Sequence, residues 1–305
     1  MAGADAPKIR RDEKLALVLG SGGARGLAQI GVIEALEARG LNIVAIAGSS
    51  SGALVGGLHA AGKLADYRDW LLGMDRNAML RLLDPGFGRS SLFTGSRLVA
   101  ALREVAGSPL IEELPIDFTA VAVDLRRERE VWLRRGDMWD AIRASFAIPG
   151  IFTPHTVNGR ALVDGGLLSP LPIAASRMSD AQRLVAVDMH GWPDRPQGHP
   201  AHEEGDGVPD ASTPGNDRSW WPGRLHRAAK VAVEAGTRFG FTELMARSLD
   251  TMQAQIARVH LALDPPELVI RIPRDACQFY EFWRARELVE IGRTEADKAL
   301  DAAGY

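Results

Sequence analysis

The sequence predicts a three-layer α/β fold with a mainly parallel central sheet. Short apolar runs at residues 15–19 and 43–47 are typical of buried strands, and helix-like segments follow them at 26–39 and 51–61. Two successive strand–helix units place their strands in parallel, joined by right-handed crossovers. The 305 residues are enough to bury a large core.

The same alternation of strands and helices continues along the chain. Further strands are predicted at 118–125, 130–133, 161–163, 184–189 and 268–272. The first two of them form an antiparallel hairpin. Further helices are predicted at 64–72, 95–105, 138–146, 241–261 and 279–303. In the fourth of these, large side chains recur at spacings of three and four, which predicts one apolar face: Phe241, Met245, Leu249, Met252, Ile256 and Val259.

We expect a single domain at residues 15–305, preceded by a flexible polar tail at 1–14. The segment at 192–222 is rich in proline, glycine, aspartate and histidine and has no hydrophobic periodicity. We therefore interpret it as an irregular surface insertion. Strand and helix patterns continue on both sides of it, so it does not divide two domains.

Composition narrows the class of protein. A formal net charge of −3 gives no reason to expect nucleic acid as a partner. The single cysteine, Cys277, rules out an internal disulfide and fits a reducing compartment. The N-terminal segment lacks the apolar core of a signal peptide, and no run approaches the roughly 20 apolar residues that span a bilayer. We expect a cytoplasmic protein, with peripheral membrane contact and the oligomeric state left open.

A G-x-S-x-G motif at residues 48–52 follows the second predicted strand and opens the second helix. Such a motif holds its central residue, here Ser50, on a tight strand-to-helix turn with the hydroxyl facing a cleft. The amide of Ser51 is then placed to donate to the oxyanion that forms during nucleophilic attack. The alternative is an ordinary turn of small residues.

A second glycine-rich segment, G-S-G-G-A-R-G at residues 20–26, follows the first predicted strand. Gly22, Gly23 and Ala24 present successive amides at a helix start, which is a cradle for a phosphate or an oxyanion. Arg25 either fixes this loop, binds an anionic head group or is a surface charge. A dinucleotide-binding motif does not fit, because Arg25 occupies its third glycine position and no acidic residue ends the second strand.

Asp164 is the candidate base for Ser50. It ends a short apolar strand and is followed by two glycines, which places a carboxylate at the edge of the sheet where open α/β folds have their sites. The alternative is an aspartate that forms an ordinary turn.

The histidines offer a second choice of base. His190 ends the strand predicted at 184–189, so a Ser–Asp–His triad stays open. His199 and His202 have a loosely metal-like spacing, but no cysteine or second histidine pair completes a site. We therefore expect neither a metal nor another cofactor.

Together these motifs resemble the patatin-like phospholipases, particularly the small bacterial members of that family. Four segments carry the resemblance, in the family's order: residues 22–27, 48–54, 143–150 and 164–166. The resemblance implies a Ser–Asp dyad without histidine, in which Ser50 is the nucleophile and Asp164 the base. It also implies an oxyanion hole at residues 22–25 and hydrolysis of lipid acyl esters.

We therefore expect a serine acyl hydrolase of the phospholipase A or lysophospholipase type, acting through an acyl-enzyme on phospholipid or lysophospholipid. Two alternatives stay open. One is an esterase or thioesterase with a Ser–Asp–His triad that includes His190. The other is a non-catalytic regulator that keeps the cleft and binds lipid.

Overall fold

A mixed eight-stranded sheet organises the protein in the computed structural model, which describes residues 9–84, 91–192 and 241–305. The chain divides by its contacts into two compact units, Met1–Asp194 with Asp250–Tyr305, and Arg195–Leu249. The sheet and the candidate site belong to the first unit. The described part of the second is residues 241–249, which begin a helix.

The sheet has a parallel centre and antiparallel strands at one side. Its strands in the order β5-β6-β3-β2-β1-β7-β8 are neighbours, and β4 pairs with β3. Strands β3, β2, β1, β7 and β8 run parallel, whereas β4 and β6 are antiparallel to β3. The strands are β1 Lys14–Leu19, β2 Asn42–Ser49, β3 Asp117–Asp124, β4 Arg129–Leu133, β5 His155–Val157, β6 Arg160–Asp164, β7 Arg183–Gly191 and β8 Leu268–Pro273.

Nine α-helices are described, and four short 3₁₀ turns accompany them. The helices are α1 Ala28–Ala38, α2 Ser51–Ala60, α3 Leu64–Leu72, α4 Arg76–Arg81, α5 Ser96–Ala106, α6 Met138–Ser145, α7 Ile173–Ser176, α8 Phe241–Leu263 and α9 Ala285–Ala302. The 3₁₀ turns are Gly23–Leu27, Ile111–Glu113, Gly165–Leu167 and Phe282–Arg284. In the part of the chain that the structure describes, every helix is too short or too polar to cross a bilayer.

The central strand β1 shows why three layers form. Its five residues after Lys14 are all buried, as expected of a parallel strand covered on both faces. Leu15, Leu17 and Leu19 point into one hydrophobic cluster, and the alternate residues Ala16 and Val18 point into another. The predicted three-layer α/β fold with a mainly parallel sheet is therefore confirmed.

Helix α8 spans the predicted segment, but the residues described as buried in it are not members of the predicted apolar face. Ala254 and Ala257 are buried, whereas Met252 and Val259 are about half exposed. The spacing of large side chains identified an apolar face, yet small residues allow a closer approach to the body of the protein. The packed face was therefore not predicted by periodicity.

The helix predicted at 279–303 begins later than expected. Residues before the 3₁₀ turn Phe282–Arg284 form an irregular segment, and α9 starts at Ala285. Phe279 thus lies in a turn, where its carbonyl oxygen is available to another segment. The short elements β5, α4 and α7 were not predicted, because three to six residues carry too little periodicity.

The last residues of the predicted tail contact the rest of the protein. Ile9 is fully buried, and its amide donates a hydrogen bond of 2.8 Å to the Tyr305 hydroxyl. The buried carboxylate of Glu13 accepts a hydrogen bond of 2.9 Å from Arg183. Residues 1–8 lie outside the described residues, and so does the predicted insertion except for Trp192. The single-domain interpretation stays a prediction.

Candidate active site

Ser50 lies on the turn between β2 and α2. Strand β2 ends at Ser49 and α2 begins at Ser51, so Ser50 alone makes the connection. Its backbone has φ 56° and ψ −120°, a strained conformation for a residue with a side chain. Strain of this kind is typical of a turn that presents a reactive side chain.

The hydroxyl of Ser50 donates a hydrogen bond of 2.6 Å to Oδ2 of Asp164. Both side chains are buried, with 4% and 2% of their residue surfaces exposed. The neighbouring hydroxyls of Ser49 and Ser51 are also buried, but they have no hydrogen-bond partner among the described residues. Of the three adjacent serines, Ser50 is the one paired with the carboxylate.

The carboxyl group of Asp164 is held by the turn that follows β6. Its Oδ1 accepts a hydrogen bond of 2.6 Å from the amide of Gly166, and its own amide donates to the carbonyl of Ala147 at 3.0 Å. Burial raises the pKa of Asp164 to about 7, although the hydrogen bonds from Ser50 and Gly166 oppose this shift. A carboxylate with a pKa near neutrality is suited to accept a proton from a hydroxyl.

Ser145, near the end of α6, fixes the backbone of the turn. Its Oγ accepts a hydrogen bond of 2.9 Å from the amide of Ser50 and donates one of 2.6 Å to the carbonyl of Val121. In the sequence, Ser145 stands out only as part of the family segment at residues 143–150. A polar residue on the buried side of an amphipathic helix was the available signal.

The predicted cradle lies beside the same turn. Gly22 directly precedes the buried 3₁₀ turn Gly23–Leu27, and a Cβ added at Gly26 would overlap the hydroxyl of Ser51. The amide of Ala24 donates a hydrogen bond of 2.9 Å to the carbonyl of Phe279. The amide of Ala24 is therefore already hydrogen-bonded and is a poor donor to an oxyanion.

For the other four predicted donors, binding of the oxyanion stays a prediction. They are the amides of Gly22, Gly23, Arg25 and Ser51. The last of these stands at the first position of α2, where an amide has no acceptor within its own helix. The positive end of the helix dipole also stabilises an anion that develops beside this amide.

The side chain of Arg25 fixes the cradle rather than facing solvent. Its residue is 4% exposed, which excludes the interpretation as a surface charge. One guanidinium nitrogen pairs with the carboxylate of Asp250, and another donates a hydrogen bond of 2.9 Å to the carbonyl of Arg274. Both contacts hold the guanidinium, so these two nitrogens do not serve a head group.

His190 belongs to a separate buried cluster. Its Nδ1 lies 3.5 Å from Oδ1 of Asp188, and its Nε2 lies 3.5 Å from Oδ1 of Asp250. Burial lowers the pKa of the imidazole, but the two carboxylates outweigh burial and the net shift is upward. Because its ring nitrogens face these carboxylates and Ser50 bonds to Asp164, the geometry argues against the triad.

Metal ligands are not clustered in the described ranges, where no group of three or more histidine, cysteine or acidic side chains is suited to hold an ion. His199 and His202 lie outside these ranges. Cys277 is buried, and burial raises the pKa of its thiol to about 12, so it is not a reactive thiolate.

Comparison with known proteins finds similarity well beyond the four sequence motifs. The family described as Patatin-like phospholipase matches residues 17–176, which include Ser50, Asp164 and the cradle. An uncharacterized NTE family protein of Mycobacterium bovis is 37% identical over 334 residues, covering 95% of this chain and 92% of the relative.

Two longer relatives match a smaller part of the chain. Lysophospholipase NTE1 of Debaryomyces hansenii is 32% identical over 196 residues, covering 62% of this chain and 12% of the relative. Patatin-like phospholipase domain-containing protein 6 of Homo sapiens is 31% identical over 189 residues, covering 60% of this chain and 14% of the relative. Among solved structures, VipD from Legionella pneumophila has a TM-score of 0.42 and 14% identity, covering 96% of this chain and 67% of VipD.

The family match spans more than half of the chain, and the mycobacterial relative matches nearly all of it. The chain belongs to the patatin-like phospholipase family.

Proposed function

We propose that this protein is a serine acyl hydrolase that cleaves carboxylic esters of phospholipids or lysophospholipids through an acyl-enzyme. Membership of the family supports lipid hydrolysis in general, and one relative is named a lysophospholipase. The observation that carries the finer proposal is the 2.6 Å hydrogen bond from the Ser50 hydroxyl to Asp164. It joins an alcohol to a buried base, which is the arrangement that nucleophilic catalysis requires.

In the first half of the reaction, the ionised carboxylate of Asp164 takes the hydroxyl proton while Ser50 Oγ attacks the ester carbonyl carbon. Negative charge develops on the carbonyl oxygen, where the amides of Gly22, Gly23, Arg25 and Ser51 donate hydrogen bonds. The tetrahedral intermediate then collapses and expels the alcohol part of the lipid. The departing oxygen takes the proton from Asp164, and the acyl group stays on Ser50.

Water completes the reaction in the second half. Asp164, ionised again, takes a proton from the water molecule as its oxygen attacks the acyl carbon. The same amides hold the second oxyanion. Collapse releases the carboxylic acid, and the oxygen of Ser50 recovers its proton from Asp164. No redox step or external acid is required by this balance.

The working substrate is assembled in membranes or micelles, so we also propose that the enzyme acts in peripheral contact with a lipid surface. The head group and the acyl chain are to be identified by the products released from a mixed lipid extract.

The test is fatty acid release from lysophospholipid by purified protein and by Ser50→Ala and Asp164→Asn variants. Each substitution removes a participant in proton transfer, so we expect kcat to fall by about 10⁴-fold or more. Ser49→Ala is the matched control, because it removes an adjacent buried hydroxyl without a partner and should keep kcat within about threefold. A fluorophosphonate probe should label Ser50. Undiminished turnover by Ser50→Ala would overturn the proposal.

A further inference from the structure

Two side chains of helix α8, one turn apart, contact the cradle. The carboxylate of Asp250 pairs with the guanidinium of Arg25. Three residues later, Oε1 of Gln253 accepts a hydrogen bond of 2.9 Å from the hydroxyl of Ser21. Residues three apart share one face of a helix, so a single face of α8 holds the cradle near both of its ends.

Gln253 also lies against the turn that carries the base. A Cβ added at Gly166 would be 2.6 Å from Nε2 of Gln253 and 2.6 Å from the hydroxyl of Ser21. Gly166 is the residue whose amide holds Asp164. Gln253 therefore lies between the cradle and the turn that carries Asp164.

Asp250 is itself fixed and charged. Its Oδ1 lies 3.5 Å from Nε2 of His190, whose other ring nitrogen faces Asp188. Burial raises the pKa of Asp250, but His190 and Arg25 outweigh this effect and lower it to about 2. Asp250 is therefore ionised and faces the guanidinium of Arg25 in a largely buried cluster, where such an ion pair is strong.

The family match ends at residue 176, and several of the contacts that hold the cradle come from beyond it. Besides the two residues of α8, the carbonyl of Arg274 accepts a hydrogen bond from Arg25. The carbonyl of Phe279 accepts one from Ala24. The C-terminal part of the chain therefore has a role at the site that the four family motifs do not contain.

We propose that Asp250 and Gln253 are positioning residues for the oxyanion cradle. Asp250 acts through Arg25, and Gln253 acts through Ser21 and the turn of Asp164. This inference rests on the proposed function. It also gives His190 a role, because the imidazole supports Asp250 instead of serving as a base.

The physical consequence concerns the transition state more than substrate binding. Amides stabilise an oxyanion only when they point at its position, and a displacement of about 1 Å can cost about 100-fold in rate. The ground-state ester carries little charge on its carbonyl oxygen. Loss of positioning should therefore lower kcat and leave KM nearly unchanged.

The test measures kcat, KM and thermal melting for Asp250→Ala and Gln253→Ala with lysophospholipid as the substrate. We expect kcat to fall by about 10-fold to 100-fold in each variant, with KM within about threefold of the wild type. Matched controls come from the same region. Asp264→Ala removes the partner of Arg177 in an exposed ion pair, and Gln255→Ala removes an exposed glutamine of α8. Both controls should keep kcat.

A transition-state analogue separates positioning from a general loss of structure. The inhibition constant of a trifluoromethyl ketone should rise by the same factor by which kcat/KM falls, because both report stabilisation of the oxyanion. If Asp250→Ala does not fold, Asp250→Asn carries the test, because it keeps the size of the side chain and removes the charge that holds Arg25; kcat should fall in that variant as well. A double-mutant cycle of Ser21→Ala and Gln253→Ala should be non-additive, since both act through one hydrogen bond.

The outcomes distinguish the two proposals. A wild-type enzyme with Ser50-dependent turnover, and variants of Asp250 and Gln253 with unchanged kcat, would overturn the positioning role and leave the proposed function intact. A fall in kcat of the same size in the control variants as in the variants of Asp250 and Gln253 would also overturn it. A wild-type protein that hydrolyses no ester would overturn the proposed function itself.

Discussion

The hydroxyl of Ser145 accepts a hydrogen bond of 2.9 Å from the backbone amide of Ser50. A residue with a side chain at positive φ carries a strain of about 1–3 kcal/mol, which the surrounding structure must offset. Ser145 also donates to the carbonyl of Val121 on the neighbouring strand β3. One side chain therefore ties the strained turn to the sheet.

Replacing this hydroxyl gives the first prediction. Ser145→Ala leaves the buried amide of Ser50 and the carbonyl of Val121 without this partner, so we expect the free energy of unfolding to fall by about 1–3 kcal/mol. Because the nucleophile then moves relative to Asp164, kcat should fall by about 10-fold to 100-fold. Urea denaturation and initial rates measure the two effects.

Ser176→Ala is the control for that variant. Ser176 is also buried, and its hydroxyl donates to the carbonyl of Ile173 within the same short segment. It should lose some stability and keep its kcat. Full activity in Ser145→Ala would contradict the role that we assign to this hydrogen bond.

Local rules made Ser50 and Asp164 candidates for a pair, and the family resemblance then favoured Asp164 over His190 as the base. The G-x-S-x-G motif requires the strained turn that Ser50 occupies, and an aspartate at the end of a strand is brought to the carboxyl edge of the sheet. These two constraints apply although Ser50 and Asp164 are separated by 114 positions in the sequence.

The residues that hold the cradle were not predictable in this way. Asp250 and Gln253 lie on a helix whose large apolar side chains indicated another face, and the contact depends on how α8 docks. Phe279 was predicted to be the first residue of a helix, where its carbonyl would accept a hydrogen bond from within the helix. Periodicity reports amphipathicity, but it does not report which small residues allow two segments to approach closely.

The second prediction concerns the packing of the turn that carries Ser50. A Cβ added at Gly52 would overlap the backbone carbonyl of Leu19, and backbone atoms of β1 have little room to move. We expect Gly52→Ala to lower the free energy of unfolding by at least about 1–3 kcal/mol. Gly73→Ala is the matched control, because the nearest atom to its added Cβ is 3.5 Å away. Chemical denaturation should show a near-neutral change there, and equal effects at the two glycines would contradict the overlap.

The third prediction is the pH dependence of turnover. Asp164 must be ionised to accept a proton, and burial raises its pKa to about 7. We therefore expect kcat/KM to rise with pH through an inflection near 7, whereas an ordinary aspartate would give one near about 4. The assay measures fatty acid release from a choline lysophospholipid, whose head group does not titrate between about pH 5 and 9, with the Ser50→Ala rate subtracted. A rate that is already maximal at about pH 5 would contradict the raised pKa.

The fourth prediction follows from the same pKa and concerns stability. Because the pKa of Asp164 is raised from 3.8 to about 7 in the folded protein, the folded state retains a proton that the unfolded state releases within this interval. The free energy of unfolding therefore falls as pH rises from about 4 to 7, by up to roughly 4 kcal/mol from this group. Asp164→Asn has no such titration, so its stability relative to the wild type should increase over that range.

Urea denaturation of both proteins at several pH values between about 4 and 8 measures this difference, and contributions from the other groups cancel. Asp264→Asn is the control. The ion pair with Arg177 lowers the pKa of Asp264, so that carboxyl is ionised in both states above about pH 5, and its substitution should give a nearly constant difference there. A constant difference for Asp164→Asn would mean that the carboxyl beside Ser50 is ionised at the ordinary pH of an aspartate. The base would then be too weak for the proton transfer that we propose.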